Sequence, residues 1–338
     1  MRPLYPVLLL VFLRSTCAVA AAPPQPLTLV NPYPVIGAAD IAGTSTMTRA
    51  LRAMQSYATP SSTDALLQHL QRLLVSELHN EVAVSRNSRG GGEAAAREVR
   101  ATERGMLLFA GSGLTAAVTL SALTELRPLA RVAHVPLALV LRSDDAVIDI
   151  AQWLTRSQQR AAPQIGSPGD RTIGQWVARQ LQRGQPRHAA TVTYNGGNGA
   201  MRGLLAMQVG AVVVPLPAVL PYVAGQRLHI PALASAARHP LLPGVPTFAE
   251  AGLGAAYAEG WHGLFAAPEL EQAAVGRVQQ ALQQALQSAD ARAALAGLGY
   301  VAAWGDATAL RHELREEARR IAEATAVQPS VSSGGLTE

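Results

Sequence analysis

Lysine is absent from this chain: all 28 basic residues are arginines. That excludes Schiff-base chemistry and a phosphate-loop lysine, both of which need a primary amine. Cysteine occurs once, at Cys17, inside an N-terminal segment that reads as a leader. A mature chain would carry no disulfide and no thiolate nucleophile. Aromatic residues are only 4% of the sequence, and the arginines are scattered, with no basic block of the kind that tracks a phosphate backbone. Nucleic-acid binding is therefore not expected. The eight histidines are dispersed, with no H-E-x-x-H and no close pair, so neither a metal site nor a cofactor is expected. Beyond the leader no apolar run reaches spanning length, since even "VGAVVVPLPAVLPYV" is broken by prolines.

The N-terminus places Arg2 before an apolar run over residues 4–13 and then Ala18-Val19-Ala20. This is the layout of a secretory signal with a small-residue cleavage site, expected over residues 1–20. A retained anchor is the alternative. A lipidated Cys17 is a further option, although Arg14-Ser15-Thr16 matches a lipidation box poorly. Loss of Arg2 and Arg14 would leave 26 arginines against 23 acids, taking the net charge from +5 to +3. Export without disulfides suits a bacterial periplasm, and the remaining length suffices for two domains.

Short β-rich runs alternate with helical patterns, which predicts sheets covered by helices. Strands are expected over residues 27–31 and 81–85, within "GMLLFAGSG" (105–113), on either side of Pro136 in "RPLARVAHVPLALVLRS" (127–143), near 164, over 190–194, 210–214 and 228–235, and in "GWHGLFAAP" (260–268). Helices are expected over 44–57 and 64–79, after the glycine turn of "RGGGEAAAREV" (89–99), and over 146–158, 171–183, 199–207, 269–288 and 307–326. The tail from 327 to 338, with its Ser-Ser-Gly-Gly, is expected to be disordered.

Six segments, "LTLVNPYP", "SSTDALLQHLQRLL", "VTYNGGNGAMRGLLAMQV", "PLPAVLPYVAGQRL", "HPLLPGVPTFAEAGL" and "GWHGLFAAP", resemble in order and spacing the receptors of tripartite tricarboxylate transporters, the Bug family of periplasmic solute-binding proteins. The likeness implies an α/β, type II-like periplasmic-binding-protein fold: two mixed sheets flanked by helices, with a ligand held in a central cleft. On that pattern the first domain takes residues 27–134 and 236–326, and the second takes 135–235. The two apolar runs 135–142 and 228–235 have the length of crossovers.

Thr59-Pro60-Ser61-Ser62-Thr63-Asp64 precedes an apolar pattern of helical period. Its plain reading is a helix cap, with a hydroxyl on the first-turn amides and Asp64 complementing the helix dipole. A helix start also attracts anions, and the resemblance implies that Ser62, Thr63 and Asp64 cradle a ligand carboxylate, beside Tyr33 of the "NPYP" turn. Residues 35–60 lie between these two motifs where the family runs on almost directly, so Asp40 and Asp64 compete for one role. Residue match and the distance to the next strand favour Asp64, making 35–60 an insertion.

The resemblance points to further cleft residues. Gly111 and Ser112 end a buried strand; Gly169, Asp170 and Arg171 form a loop before a helix; Tyr194, Asn195 and Gly196 form a strand-end turn; and Ala218 opens another helix. Each also has an ordinary structural reading as turn, cap or core edge. Arg171 can pair bidentately with a carboxylate, and Asp170 can either select an amine or neutralise that arginine. Gly210 stands where the family carries an aspartate, which weakens the second-domain side of the site. Ser112 lacks the flanking glycine spacing of a nucleophile elbow, so a serine hydrolase is a remote alternative and no catalysis is expected.

The resemblance implies a monomeric extracytoplasmic protein that captures a small organic acid for the membrane subunits of a transporter. An alternative role is signalling to a membrane sensor.

Overall fold

The structure is a computed structural model that describes residues 27–31, 62–87, 93–101, 106–112, 123–143, 149–159, 164–183, 191–223 and 228–326. Tyr33, the insertion 35–60, the expected helix 44–57, the leader and the tail lie outside the described residues.

Eleven strands and nine α-helices are described. Strands β1 (Leu27–Asn31), β2 (Val82–Arg86), β3 (Met106–Gly111), β4 (Arg127–Val135), β10 (Gly260–Ala266) and β11 (Val301–Gly305) form one sheet, in the order β11-β4-β10-β3-β1-β2. Strands β5 (Leu137–Arg142), β6 (Ile165–Ser167), β7 (Thr191–Thr193), β8 (Ala211–Pro215) and β9 (Leu228–Ala234) form the other, in the order β7-β6-β8-β5-β9. In each sheet three strands are parallel, β2-β1-β3 and β7-β6-β8, and the rest run antiparallel to their neighbours. This is the expected two-sheet α/β architecture.

The helices are α1 (Ser62–Leu78), α2 (Glu93–Ala101), α3 (Ile150–Gln159), α4 (Ile173–Arg183), α5 (Gly196–Leu205), α6 (Leu216–Val223), α7 (Gln272–Gln287), α8 (Ala289–Gly297) and α9 (Ala307–Ala326). Their apolar stripes recur every three or four residues and are the buried ones, as in Leu66, Leu67, Leu70 and Leu74 of α1. The apolar pattern over 269–288 extends into two helices. Ser288 is extended (φ −66°, ψ 146°), and its hydroxyl accepts from the Ala291 amide, capping α8. Helix α8 and strand β11 were not expected, because "ADARAALAG" and "VAAWG" are alanine-rich and carry little periodicity.

The chain leaves the first sheet at Pro136, between β4 and β5. Proline has no N–H to place in either ladder, and its carbonyl accepts from the Leu216 amide at 2.8 Å. The return was expected at 236, yet residues 236–258 pack on the second sheet. Phe248, Ala256 and Ala258 share a core with Leu139 and Ile165, and the Phe248 amide bonds the Leu233 carbonyl at 2.7 Å. This segment is rich in proline and glycine and has no repeat period, so only its tertiary contacts reveal where it belongs. β10 then begins at Gly260.

Helix α9 touches both halves. Leu310 and Leu314 pack with Trp261 and Phe265 over the first sheet, while Ala324 joins the core containing Trp176 under the second. Polar anchors follow the same division. Arg131 pairs with Glu313 at 2.5 Å, and Trp261 Nε1 donates to Glu317 at 2.6 Å. Further along, Trp176 Nε1 donates to Glu323 at 3.1 Å, with Arg320 over the same ring.

Candidate functional site

Strand register brings the carboxyl ends of both parallel sets to one place. In the first sheet Gly111, the end of β3, pairs with His262, and the adjacent Gly260 pairs with Val135 at the crossing. In the second sheet Pro215, the end of β8, pairs with Leu137 just past the crossing. The two carboxyl edges therefore flank Pro136. Among the described residues β1, β2, β6, β7 and β8 are each followed in the chain by a helix, and a positive helix N-terminus at such an edge is the usual location of a ligand in open α/β sheets.

On the first edge the candidates are tied into the fold. Asn31, completely buried at the end of β1, donates from Nδ2 to Asp64 Oδ1 at 2.7 Å. The bond fastens the start of α1, with Ser62 and Thr63, to the strand end. Ser112 is bonded twice to one partner: its amide donates to the Trp261 carbonyl at 3.0 Å, and its Oγ accepts from the Trp261 amide at 2.9 Å. That reciprocal pair extends the β3–β10 ladder by one residue, a structural task rather than that of an activated nucleophile. Gly111 is required by the same close approach, since a Cβ there would lie 2.2 Å from His262 Nδ1 and 2.4 Å from the Trp261 carbonyl oxygen.

On the second edge the loop after β6 is held by a helix cap. Thr172 Oγ1 accepts from the Gln175 amide at 3.1 Å and donates to the Gly169 carbonyl at 2.8 Å. Gln175, 2% exposed, reaches back with both ends of its amide. Oε1 accepts from the Arg171 amide at 2.9 Å, and Nε2 donates to Asp170 Oδ1 at 2.8 Å. Arg171 adopts φ 58°, the left-handed region that non-glycine residues rarely occupy. It is exposed, and among the described residues its guanidinium has no ion-pair or hydrogen-bond partner.

Asn195 is the N-cap of α5, and its side chain makes no cap bond. The Gly196 amide, expected to donate to a ligand, instead serves the Pro168 carbonyl at 2.8 Å and the Tyr194 carbonyl at 3.1 Å. Tyr194, expected to wall the pocket, makes these contacts. Its ring lies against Gly203, where a Cβ would come within 2.3 Å, and its hydroxyl donates to Gln208 at 3.3 Å. Burial pushes its phenol pKa up. The ring thus runs beneath α5 toward the helix end. Ala218 sits 3.6 Å from where a Gly197 Cβ would be, so the starts of α5 and α6 lie side by side. Gly210 precedes β8, with its amide on the Gln164 carbonyl at 3.1 Å. It therefore occupies the amino end of that strand, away from the carboxyl edge, and the missing aspartate does not open a gap there.

Several residues of this region were not singled out by sequence. Asn31 ends an otherwise apolar strand. Thr172 and Gln175 match the T-x-x-Q capping spacing, which was the available signal. Glu259 precedes β10 and accepts from the Tyr257 hydroxyl at 2.9 Å and from the Ala236 amide at 3.3 Å, with His134 Nδ1 at 3.8 Å. Burial pushes Glu259 up and His134 down, each toward its neutral form. Among the described residues no group of three His, Cys, Asp or Glu side chains is placed to hold a metal ion.

Known proteins share this architecture. The family model for the tripartite tricarboxylate transporter family receptor matches residues 113–334. Protein BugT of Bordetella pertussis is 27% identical over 272 residues, covering 74% of this chain and 80% of that protein. An R. palustris protein solved with adipate superposes with a TM-score of 0.69 at 19% identity, covering 91% of this chain and 99% of the other. MatC from Rhodopseudomonas palustris, with bound malate, gives 0.64 at 19% identity, covering 90% and 99%. At such identities the two structures speak to the fold, while the family model spans most of the chain: it belongs to the receptor family of the tripartite tricarboxylate transporters, a family of solute-binding proteins.

Proposed function

We propose that this chain is a periplasmic receptor, exported by residues 1–20, that captures a small carboxylate-bearing metabolite between its two lobes and delivers it to the membrane subunits of a tripartite transporter. The observation that carries the reading is the meeting of the two carboxyl edges at Pro136, with an Arg171 guanidinium that has no partner among the described residues and an α5 start without a side-chain cap bond on one of them. Helix-start amides and a guanidinium are the chemistry that takes a carboxylate out of water. The relatives solved with malate and with adipate support a carboxylate as the ligand class. On this reading the ligand meets residues from both edges, and lobe closure shifts a pre-existing equilibrium between open and closed forms.

The test is a thermal-shift panel on residues 21–338 with mono-, di- and tricarboxylates, amino acids and aromatic acids. A ligand at a hundred times its Kd stabilises by about 2.7 kcal/mol, a rise of a few degrees. A rise confined to carboxylates is the expected result. A panel without any rise would remove the carboxylate reading and favour a partner-docking role.

A further inference from the structure

Gln175 departs from an ordinary capping box. In that motif the residue three positions after the cap accepts from the cap residue's own amide. Here the cap is Thr172, yet Gln175 Oε1 accepts from the amide of Arg171, one residue earlier, at 2.9 Å. The other end of the same side chain holds the carboxylate of Asp170 at 2.8 Å. Two consequences follow for Arg171. Its backbone is fixed in a left-handed conformation, φ 58°, that an arginine would not keep unaided. Its neighbouring carboxylate is engaged by a neutral amide, which leaves the guanidinium without an acidic partner among the described residues.

We infer that Gln175 is a specificity-determining positioning residue: by fixing the Arg171 backbone and engaging Asp170, it keeps the Arg171 guanidinium available for the second carboxylate of a dicarboxylate ligand. The inference rests on the carboxylate-receptor reading given above. It explains why a buried glutamine, rather than an apolar residue, stands at the fourth position of a helix start whose remaining neighbours, Ile173, Gly174 and Trp176, are also buried. A glutamine amide presents an acceptor and donors on one planar group, so it serves the Arg171 amide and the Asp170 carboxylate together.

The experiment compares chain-matched acids, succinate with butyrate and adipate with hexanoate, by titration calorimetry on wild type and Gln175→Leu. Dicarboxylate affinity should fall about tenfold while monocarboxylate affinity holds, so the di-to-mono ratio collapses. In an Arg171→Ala background the same glutamine substitution should have no further effect on that ratio. Adding Asp170→Asn to Gln175→Leu should restore part of the dicarboxylate preference, because no carboxylate is then freed to neutralise the arginine. A role limited to capping would weaken every acid alike and would not be rescued at position 170. That outcome, or an unchanged ratio, overturns the inference while leaving the receptor reading intact. If Gln175→Leu fails to fold, Gln175→Met carries the same comparison. If wild type binds none of the four acids, this inference falls, while the wider panel described above decides the receptor reading.

Discussion

The two carboxyl edges that meet at Pro136 use their polar groups differently. On the first, Asn31 binds Asp64 across a strand and a helix, and Ser112 binds Trp261 across two strands, so each bond joins separate elements. On the second, the bonds of Thr172 and Gln175 stay within one loop and its helix, and they leave the Arg171 guanidinium without a partner among the described residues, beside an α5 start whose Asn195 makes no side-chain cap bond. The first edge is built as a floor, whose polar groups are consumed by holding it flat. The second is built as a presenting surface, where local bonds fix a cation without occupying it. Substitutions at the first edge should therefore register as stability, and those at the second as affinity and selectivity.

The sharpest way to break this contrast is a single methyl. Gly111→Ala forces a Cβ onto the Trp261 carbonyl and the His262 ring, and it should cost about 3 kcal/mol by urea denaturation. At the second edge Gly197→Ala meets only Ala218 at ordinary contact distance and should stay within about 0.5 kcal/mol. Equal costs would erase the distinction.

Acid offers a second probe of the floor. Burial pushes the His262 imidazole down to about 4, whereas an unfolded histidine titrates near 6.5. Below that value the unfolded chain binds the proton and the folded one does not, so stability present at neutral pH is lost between about 6.5 and 4. The loss approaches about 3 kcal/mol at the acid end of the window. In a pH series of urea midpoints, His262→Gln should flatten this fall; an unchanged slope would assign it to other groups.

Ser112→Ala removes the acceptor of a buried main-chain N–H and should cost about 2 kcal/mol. Asn195→Ala, at a cap whose side chain makes no cap bond, should change stability by less than about 0.5 kcal/mol. Thermal melts of the pair measure the difference between the edges directly.

The smallest effect is expected at the loop that presents the cation. Arg171→Gly relieves a left-handed conformation and should gain about 0.5 kcal/mol, even as dicarboxylate affinity falls. A variant both more stable and less selective would be the signature of strain retained for binding. Loss of stability would instead assign the arginine a structural role.

The strands at β1, β3 and β10 are legible in the sequence because an apolar run bounded by Gly, Pro or Asn has few other solutions, and the break at Pro136 follows from proline's missing donor. Helices α1 and α9 are legible from their buried stripes. The short, alanine-rich α8 and β11 are not, since alanine contributes to neither period, and residues 236–258 find their lobe only through Phe248 and its neighbours. For the candidate site, sequence identifies the polar residues at the turns, but not which of their groups are already engaged. The Gly196 amide, the Tyr194 ring and the Asp170 carboxylate all look available until the partner atoms are placed. Those partners lie as close as Gln175 is to Asp170 or as far along the chain as Pro168 is from Gly196, and a linear reading ranks neither.

Helix α9 has a mechanical consequence. Two chain crossings, one at Pro136 and one just before Gly260, would by themselves define an axle about which the lobes swing freely. A rigid rod fastened to the first lobe through Glu313 and Glu317 and to the second through Glu323 is a third attachment. On the proposed binding reading, any swing of the lobes must slide or bend the rod's far end across Trp176, so the grip of its final turns on that ring sets how far the jaws can open.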